Sequence, residues 1–420
     1  MEHFDAYAEK NYRWNLGVSW ADGLLFSIGL AFCTDLTILP VFLNNFTDSK
    51  MIISLIPAIT MLGITLPPLL SAHYIESLPR KKPAATWIGA AMRIPWLFLA
   101  IFAWYLGDNS PALNITLFLG LYAIFTISWG LVMPPWLDII GKIIPLQRRG
   151  FFMGVRFAVG RLAGMAAGFA AYYLIEKGTF PTNFALLFAL SFVFMTVSLG
   201  FFAMTREPAQ PVVKAKRKFA DFMRAIPTTI RHDRNFYWFI MFNMLVSGSN
   251  LALGLYAVYG VQHFNQTDSI SGIFTAVMMF AQTIAYVAWG QWGDRSGYKG
   301  SLVVSTLFCI VAPLVALVAP SIHWYYLVFV LIGAFISANQ IVTMNIILEF
   351  CSPEDRPLYI SATYAFSAPV FSLSPIIGGL LVDVASWQAL FWASFLLPTL
   401  ALAVLVMKVK DPRHTATTTI

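Results

Sequence analysis

Ionised side chains stand inside stretches that are otherwise apolar, Asp22, Asp35, Arg156 and Arg161 among them. A charge at bilayer depth costs at least about 2.5–3.5 kcal/mol, so each must face protein or a wet cavity, and such residues are functional by default. A carboxyl at that depth can take and release a proton as its access to water alternates. Asp35 and Asp22 are the candidates for that proton. On a continuous helix they lie ~20 Å apart along the axis and ~140° apart around it, so only one of them faces a shared cavity squarely. Asp35 is favoured, the alternative being a structural carboxylate capped by Thr34 or Thr37. Arg161 and Arg156 flank Gly160, Gly164 and Gly168, a small-residue spacing that permits close helix approach, so both should point into protein. Arg161, with Arg156 beside it, suits a counter-ion for Asp35 or a binder of an anionic substrate group; a fixed salt bridge is the alternative.

Neutral polar groups recur further along: Asn243 and Asn250, Gln282, and Asn339 and Gln340, with Tyr286 beside Gln282 and Tyr364 on a later apolar stretch. Polar side chains facing lipid are costly, so these should line the interior, either as an amphipathic substrate pocket or as hydrogen bonds between helices. Nothing in the sequence suggests catalysis. His and Cys do not cluster at metal spacing, and neither a nucleophile elbow nor a phosphate loop is present. No enzyme activity, metal or other cofactor is therefore expected.

The elements that must carry these groups follow from composition. Of 420 residues, 58% are hydrophobic and 11% charged, against roughly 25% charged in soluble domains. Water cannot be the main solvent. With roughly 20 apolar residues per crossing, the pattern predicts an all-α integral membrane protein of about twelve spans: 16–41, 51–74, 84–106, 113–140, 151–175, 183–204, 236–261, 270–292, 301–319, 324–348, 358–383 and 387–407. The polar start does not read as a cleaved signal peptide. Cys33, Cys309 and Cys351 give no disulfide framework and read as packing residues.

The net charge of +7 has an orientation rather than a nucleic-acid partner behind it. Among the 27 Lys and Arg, only Lys50 and Lys177 fall in the odd-numbered loops, and only Arg93, Arg156 and Arg161 within spans. The rest lie in the tails and even-numbered loops, which assigns both termini to the cytoplasm and the basic side to the anionic lipid surface. A bacterial inner membrane is the expected location. The segment 205–235 carries Phe219, Phe222, Met223, Ile226 and Ile230 at helical spacing between basic residues, as a surface helix or a tether between halves 1–204 and 236–420.

Those halves read as a duplication. Asn45-Phe-Thr47-Asp48-Ser49 recurs as Asn265-Gln-Thr267-Asp268-Ser269; Glu76 to Lys81 stands opposite Asp294 to Lys299; and Pro145 to Phe151 stands opposite Pro353 to Tyr359. The loop after span 8 reads Gly290-Gln-Trp-Gly293-Asp294-Arg295-Ser-Gly297-Tyr-Lys299-Gly300. It resembles the signature loop G-x-x-x-D-R-x-G-x-K of the major facilitator superfamily, with a degenerate copy at Ala72 to Lys81.

The resemblance implies two pseudo-symmetric six-helix bundles around a central site that opens alternately to each side. Under it, Arg93 on the peripheral third span is structural, and Asp383 is a solvated helix-end charge. Ion pairs expected to gate the cytoplasmic side are Asp294 and Arg295 with Glu349 and Arg356, and Glu76 and Arg80 with Asp138, Arg148 and Arg149. Thr34-Asp35-Leu-Thr-Ile-Leu39-Pro40 is similar to a T-D-x-x-x-P stretch of drug:proton antiporters, although span 4 lacks their intramembrane arginine and span 5 their Gly-Pro. The expected function is therefore a monomeric secondary transporter. Proton-coupled export of amphipathic small molecules leads; import or uniport of a polar or anionic metabolite is the alternative, and a membrane receptor or lipid scramblase stands behind both.

Overall fold

The computed structural model describes residues 2–68, 78–105, 110–145, 148–208, 233–351 and 356–411. The described residues are helical throughout, joined by short turns. The helices are α1 Glu2–Ala31, α2 Ile38–Asn44, α3 Lys50–Thr65, α4 Lys82–Trp104, α5 Pro111–Ile143, α6 Arg149–Lys177, α7 Thr182–Ala203, α8 Arg234–Ser247, α9 Leu255–His263, α10 Ile270–Ser296, α11 Tyr298–Val318, α12 Ile322–Phe350, α13 Arg356–Val384 and α14 Trp387–Met407. Ten spans are long and apolar enough to cross a membrane, with α8 and α9 counted as one. The first span is α1 with α2, and the second is the shorter apolar α3. The surface inverts that of a soluble protein: Trp87, Val318, Leu396 and Leu400 are exposed, while Asn243, Ser191, Thr275 and Gln282 are buried.

Two of the predicted continuous spans are broken in mid-course, and the breaks matter more than the boundaries. Span 1 stops at Ala31 and resumes at Ile38. Pro40 has no N–H, and its ring would meet the carbonyl four residues back in a continuous helix. Thr34 Oγ1 donates to the carbonyls of Leu30 and Ala31, satisfying groups the break would otherwise orphan. Span 7 changes to a 3-10 turn over Gly248–Ala252 before α9. There Ser247 Oγ donates to Asn243 O, Ser249 Oγ to Val246 O, and Asn250 Nδ2 to Ser247 O. Gly254 follows at φ 77°, a left-handed conformation that favours glycine.

The chain divides into two compact units. Unit 1 comprises Met1–Asp48, Ile59–Lys216 and Gln266–Ala276; unit 2 comprises Ser49–Ala58, Arg217–Asn265 and Val277–Ile420. In unit 1, Phe42 meets Phe46, Phe118, Phe180, Phe184 and Phe188 with ring centroids 5.1–6.0 Å apart, which fixes α2 against α5 and α7. Unit 2 packs around Phe236, Phe239, Phe242, Trp289 and Phe335, supplied by α8, α10 and α12. The signature-like loop is a tight corner between α10 and α11. Gly297 sits at φ 87°, and a Cβ on Gly293 would lie 2.3 Å from the Tyr298 ring. The expected surface helix within 205–235 lies almost wholly outside the described residues.

Candidate functional site

Unit 1 holds Asp22, Asp35, Arg156 and Arg161 and sorts them into two groups. Asp22 on α1 is fully engaged: its Oδ2 lies 2.7 Å from Arg156 Nη2, and its Oδ1 accepts from Ser198 Oγ at 2.6 Å. Arg156 also donates through Nη1 to the Ser19 carbonyl and stacks over the Trp136 ring at 5.1 Å. Gly23 makes room for it, since a Cβ there would lie 2.7 Å from the guanidinium stem. Asp22 and Arg156, read from sequence as a coupling carboxylate and a substrate contact, thus form one buried, saturated ion pair. Arg93 is likewise consumed, donating to the Met195 and Gly89 carbonyls beside the Phe26 ring.

Asp35 and Arg161 are arranged differently. Asp35 lies in the break of span 1, half-buried, and accepts a hydrogen bond from the Thr60 side chain of α3. Thr60 Oγ1 is in turn 2.6 Å from Tyr122 Oη on α5, so a short polar chain supports the carboxylate. The caps expected from Thr34 and Thr37 are not made: Thr34 serves its own helix, and Thr37 pairs with Thr275 at 2.5 Å. Arg161 on α6 is half-buried. Among the described residues it makes neither an ion pair nor a hydrogen bond, leaving all five guanidinium donors available.

Unit 2 gathers neutral groups. Asn243 and Asn250 spend their amide N–H groups on backbone carbonyls of their own span. Tyr286 Oη donates to Gln340 Oε1, joining α10 to α12, and Thr343 Oγ1 donates to Asn339 Oδ1 at 3.0 Å. Gln282, one turn before Tyr286, is buried with its Oε1 unbonded. Tyr364 on α13 is about half exposed.

The ion pairs expected to gate the cytoplasmic side are arranged differently among the described residues. Asp138 pairs with Lys81 at 2.9 Å and Lys142 at 2.7 Å, while Arg80 is exposed and Arg148 lies over the Tyr12 ring. Glu207, which sequence reasoning passed over, joins Lys142 at 3.1 Å and accepts from the Lys81 and Lys82 amides at the start of α4. Arg149, expected to pair, bonds the Ile144 and Gly141 carbonyls instead. Glu76 and the side chains of Asp294 and Arg356 lie outside the described residues; Arg295 is exposed and Glu349 half-buried.

In unit 1 an interrupted span carries an acid in its break, a transporter-like feature. The sequence profile described as Major Facilitator Superfamily matches residues 23–265 and again 244–419. The chain belongs to that superfamily.

Solved structures of the superfamily fold match along nearly the whole chain. A mutant of the nucleoside transporter NupG is 11% identical, covers 94% of this chain and 100% of its own, and superposes with a TM-score of 0.73. A D-xylose-proton symporter is 15% identical over 95% of this chain and 98% of its own, at 0.69. The inward open xylose transporter XylE of E. coli is 14% identical over 94% and 96%, at 0.70. At these identities the likeness shows the fold. No curated protein matches in sequence. Superfamily membership makes the chain a multi-pass membrane transporter, a class that binds small-molecule substrates, rather than an enzyme.

Proposed function

We propose that this superfamily member is a proton-coupled transporter of a polar small molecule bearing an anionic group, with Asp35 carrying the proton and Arg161 receiving the anion. Two observations support the reading: Arg161 is half-buried with no bonded partner among the described residues, and Asp35 stands half-buried in the break of span 1 within the same unit. Ionised Asp35 offsets the field of Arg161 and weakens its hold on an anion. Protonated Asp35 frees that field, so proton and substrate bind best together. The linkage is reciprocal, and coupling free energies of this kind run to ~1–3 kcal/mol, or roughly 5–150-fold in affinity. Cooperative binding of proton and anion is the logic of a symporter. Solved structures of similar fold include a D-xylose-proton symporter and a fucose:proton symporter, which supports a proton-coupled reading.

The span 1 stretch Thr34 to Pro40 favours a second reading, export of amphipathic compounds in exchange for protons. In that scheme proton and substrate compete. Proteoliposomes containing a pH indicator, challenged with a panel of organic anions and with amphipathic cations under an imposed pH gradient, separate the two. An anion should drive proton movement in its own direction, and Asp35→Asn should abolish that movement while anion exchange persists. Proton movement unchanged in Asp35→Asn refutes the role of Asp35; proton movement opposite to an amphipathic cation supports the second reading.

A further inference from the structure

The hydroxyl of Tyr122 stands in an otherwise apolar wall. Its ring packs against Trp96 of α4 and against Phe118 and Phe125 of its own helix, at centroid distances of 6.3, 6.1 and 6.0 Å, and the residue is 2% exposed. Among the described residues Tyr122 Oη has one hydrogen-bond partner, Thr60 Oγ1 at 2.6 Å. Packing alone would be served as well by phenylalanine, which carries no hydroxyl to desolvate.

Backbone contact between α3 and α5 holds this pair in register. One turn beyond Thr60, a Cβ on Gly63 would lie 2.5 Å from Oγ1 of Thr126, which is one turn beyond Tyr122. Gly130, a further turn along α5, meets the Gly63 carbonyl so closely that no side chain fits between them. The two helices therefore touch backbone to backbone here, which fixes the Tyr122 hydroxyl at Thr60. Thr60 in turn bonds Asp35 in the break of span 1. Every residue in this chain of contacts belongs to unit 1.

Donor direction follows from counting hydrogens. An ionised carboxylate only accepts, so Thr60 donates to Asp35, and its one hydrogen is then spent. Tyr122 must be the donor to Thr60. A hydroxyl that accepts one hydrogen bond donates the next more strongly, so Tyr122 both aims and polarises the Thr60 hydroxyl. When Asp35 takes a proton, its oxygens become neutral acceptors and that bond weakens. The chain of hydroxyls thus favours the ionised carboxylate.

We propose that Tyr122 is a positioning residue for the proton on Asp35, holding the Thr60 hydroxyl in the orientation that eases proton release. The inference rests on Asp35 as the proton carrier of the proposed transport. A carrier that binds its proton too tightly completes only the loading half of a cycle, and Tyr122 acts on the unloading half. Arg161 of α6 and the Cys33 thiol, itself bonded to Ser191 of α7, are the other titratable groups around Asp35, and the variants below leave both in place.

Infrared spectra of the purified full chain in nanodiscs, titrated with pH and with no substrate added, isolate Asp35 as the protonated-carboxyl band that Asp35→Asn removes. In Tyr122→Phe, which keeps the ring, the midpoint of that band should rise by roughly half a pH unit to one unit, the size expected for loss of one neutral hydrogen bond. Thr60→Val should raise it at least as far, and Tyr122→Phe added to Thr60→Val should shift it no further. Thr60→Ser keeps the hydroxyl and should titrate with the parent. A parent midpoint in Tyr122→Phe or in Thr60→Val, or a full second shift when the two are combined, overturns the role of Tyr122 and leaves Asp35 as the carrier. A parent spectrum from which Asp35→Asn removes no band refutes Asp35 as the carrier, and this inference with it.

Discussion

Asp22 and Asp35 show how little the residue type alone decides. Both are intramembrane carboxylates on one span, but Asp22 is locked to Arg156 and Ser198, while Asp35 shares its surroundings with an arginine that bonds nothing described. Breaking a buried ion pair from one side leaves an uncompensated charge and costs ~3–5 kcal/mol. Asp22→Asn should therefore lower the thermal midpoint sharply, whereas Arg161→Gln should cost no more than about 1 kcal/mol and still abolish anion binding. Equal melting losses for the two variants would overturn this division. Depth along a helix was legible in the sequence; the direction a side chain faces was not. Gly23, next to Asp22, was the signal available, because it opens the space that Arg156 fills. The Asp138 to Lys142 pair was also readable, as neighbours one turn apart.

Asp268 supplies a pH dependence outside the membrane. Burial pushes its carboxyl above the ordinary range, partly opposed by the hydrogen bond from Asn45. A carboxyl raised in the folded state contributes stability at pH below its unfolded value and loses it as pH rises through the folded value. Asp268→Asn, which mimics the protonated form, should raise the melting midpoint at neutral pH. The gain should vanish as the pH falls into the ordinary carboxylate range. A gain that persists in acid, or a loss at neutral pH, contradicts the sign.

At the scale of elements, hydrophobic length predicted the spans, but a length argument sees no interruption inside them. Pro40 and Gly254 were both visible in the sequence; what they imply depends on the backbone around them. If Pro40 causes the break that presents Asp35, Pro40→Ala should leave the fold intact and remove proton coupling. Preserved coupling with a continuous span 1 would separate the break from the chemistry. Gly254→Ala forces a side chain into a left-handed conformation and should cost ~1–2 kcal/mol in stability. An unchanged melting midpoint in that variant would refute the strain. Asp383 is exposed, as a helix-end charge reads from sequence, but the helix-start amides of Lys50 and Met51 that it accepts from were not visible there.

Across the whole molecule, membrane residence and the superfamily were legible because both rest on many residues at once. The signature-like loop was readable because Gly293 and Gly297 are fixed by local backbone geometry. From the charge bias we propose that both termini lie in the cytoplasm. A C-terminal tag should then be digested by protease in inside-out vesicles and protected in intact spheroplasts, and the reverse pattern would invert the orientation. Substrate chemistry was least legible, since it depends on which polar groups are left unbonded after folding. Arg161 and Gln282 could be named from the sequence, but not told apart from Arg156 and Asn243, whose donors the fold has already spent.

The central claim is that proton and anion bind together through Asp35 and Arg161. Its most direct measurement is proton exchange by purified protein in weak buffer as the anion selected by transport is added. Net proton uptake on binding, absent in Asp35→Asn, is the expected result. Proton release on binding, or uptake of equal size in Asp35→Asn, would contradict it.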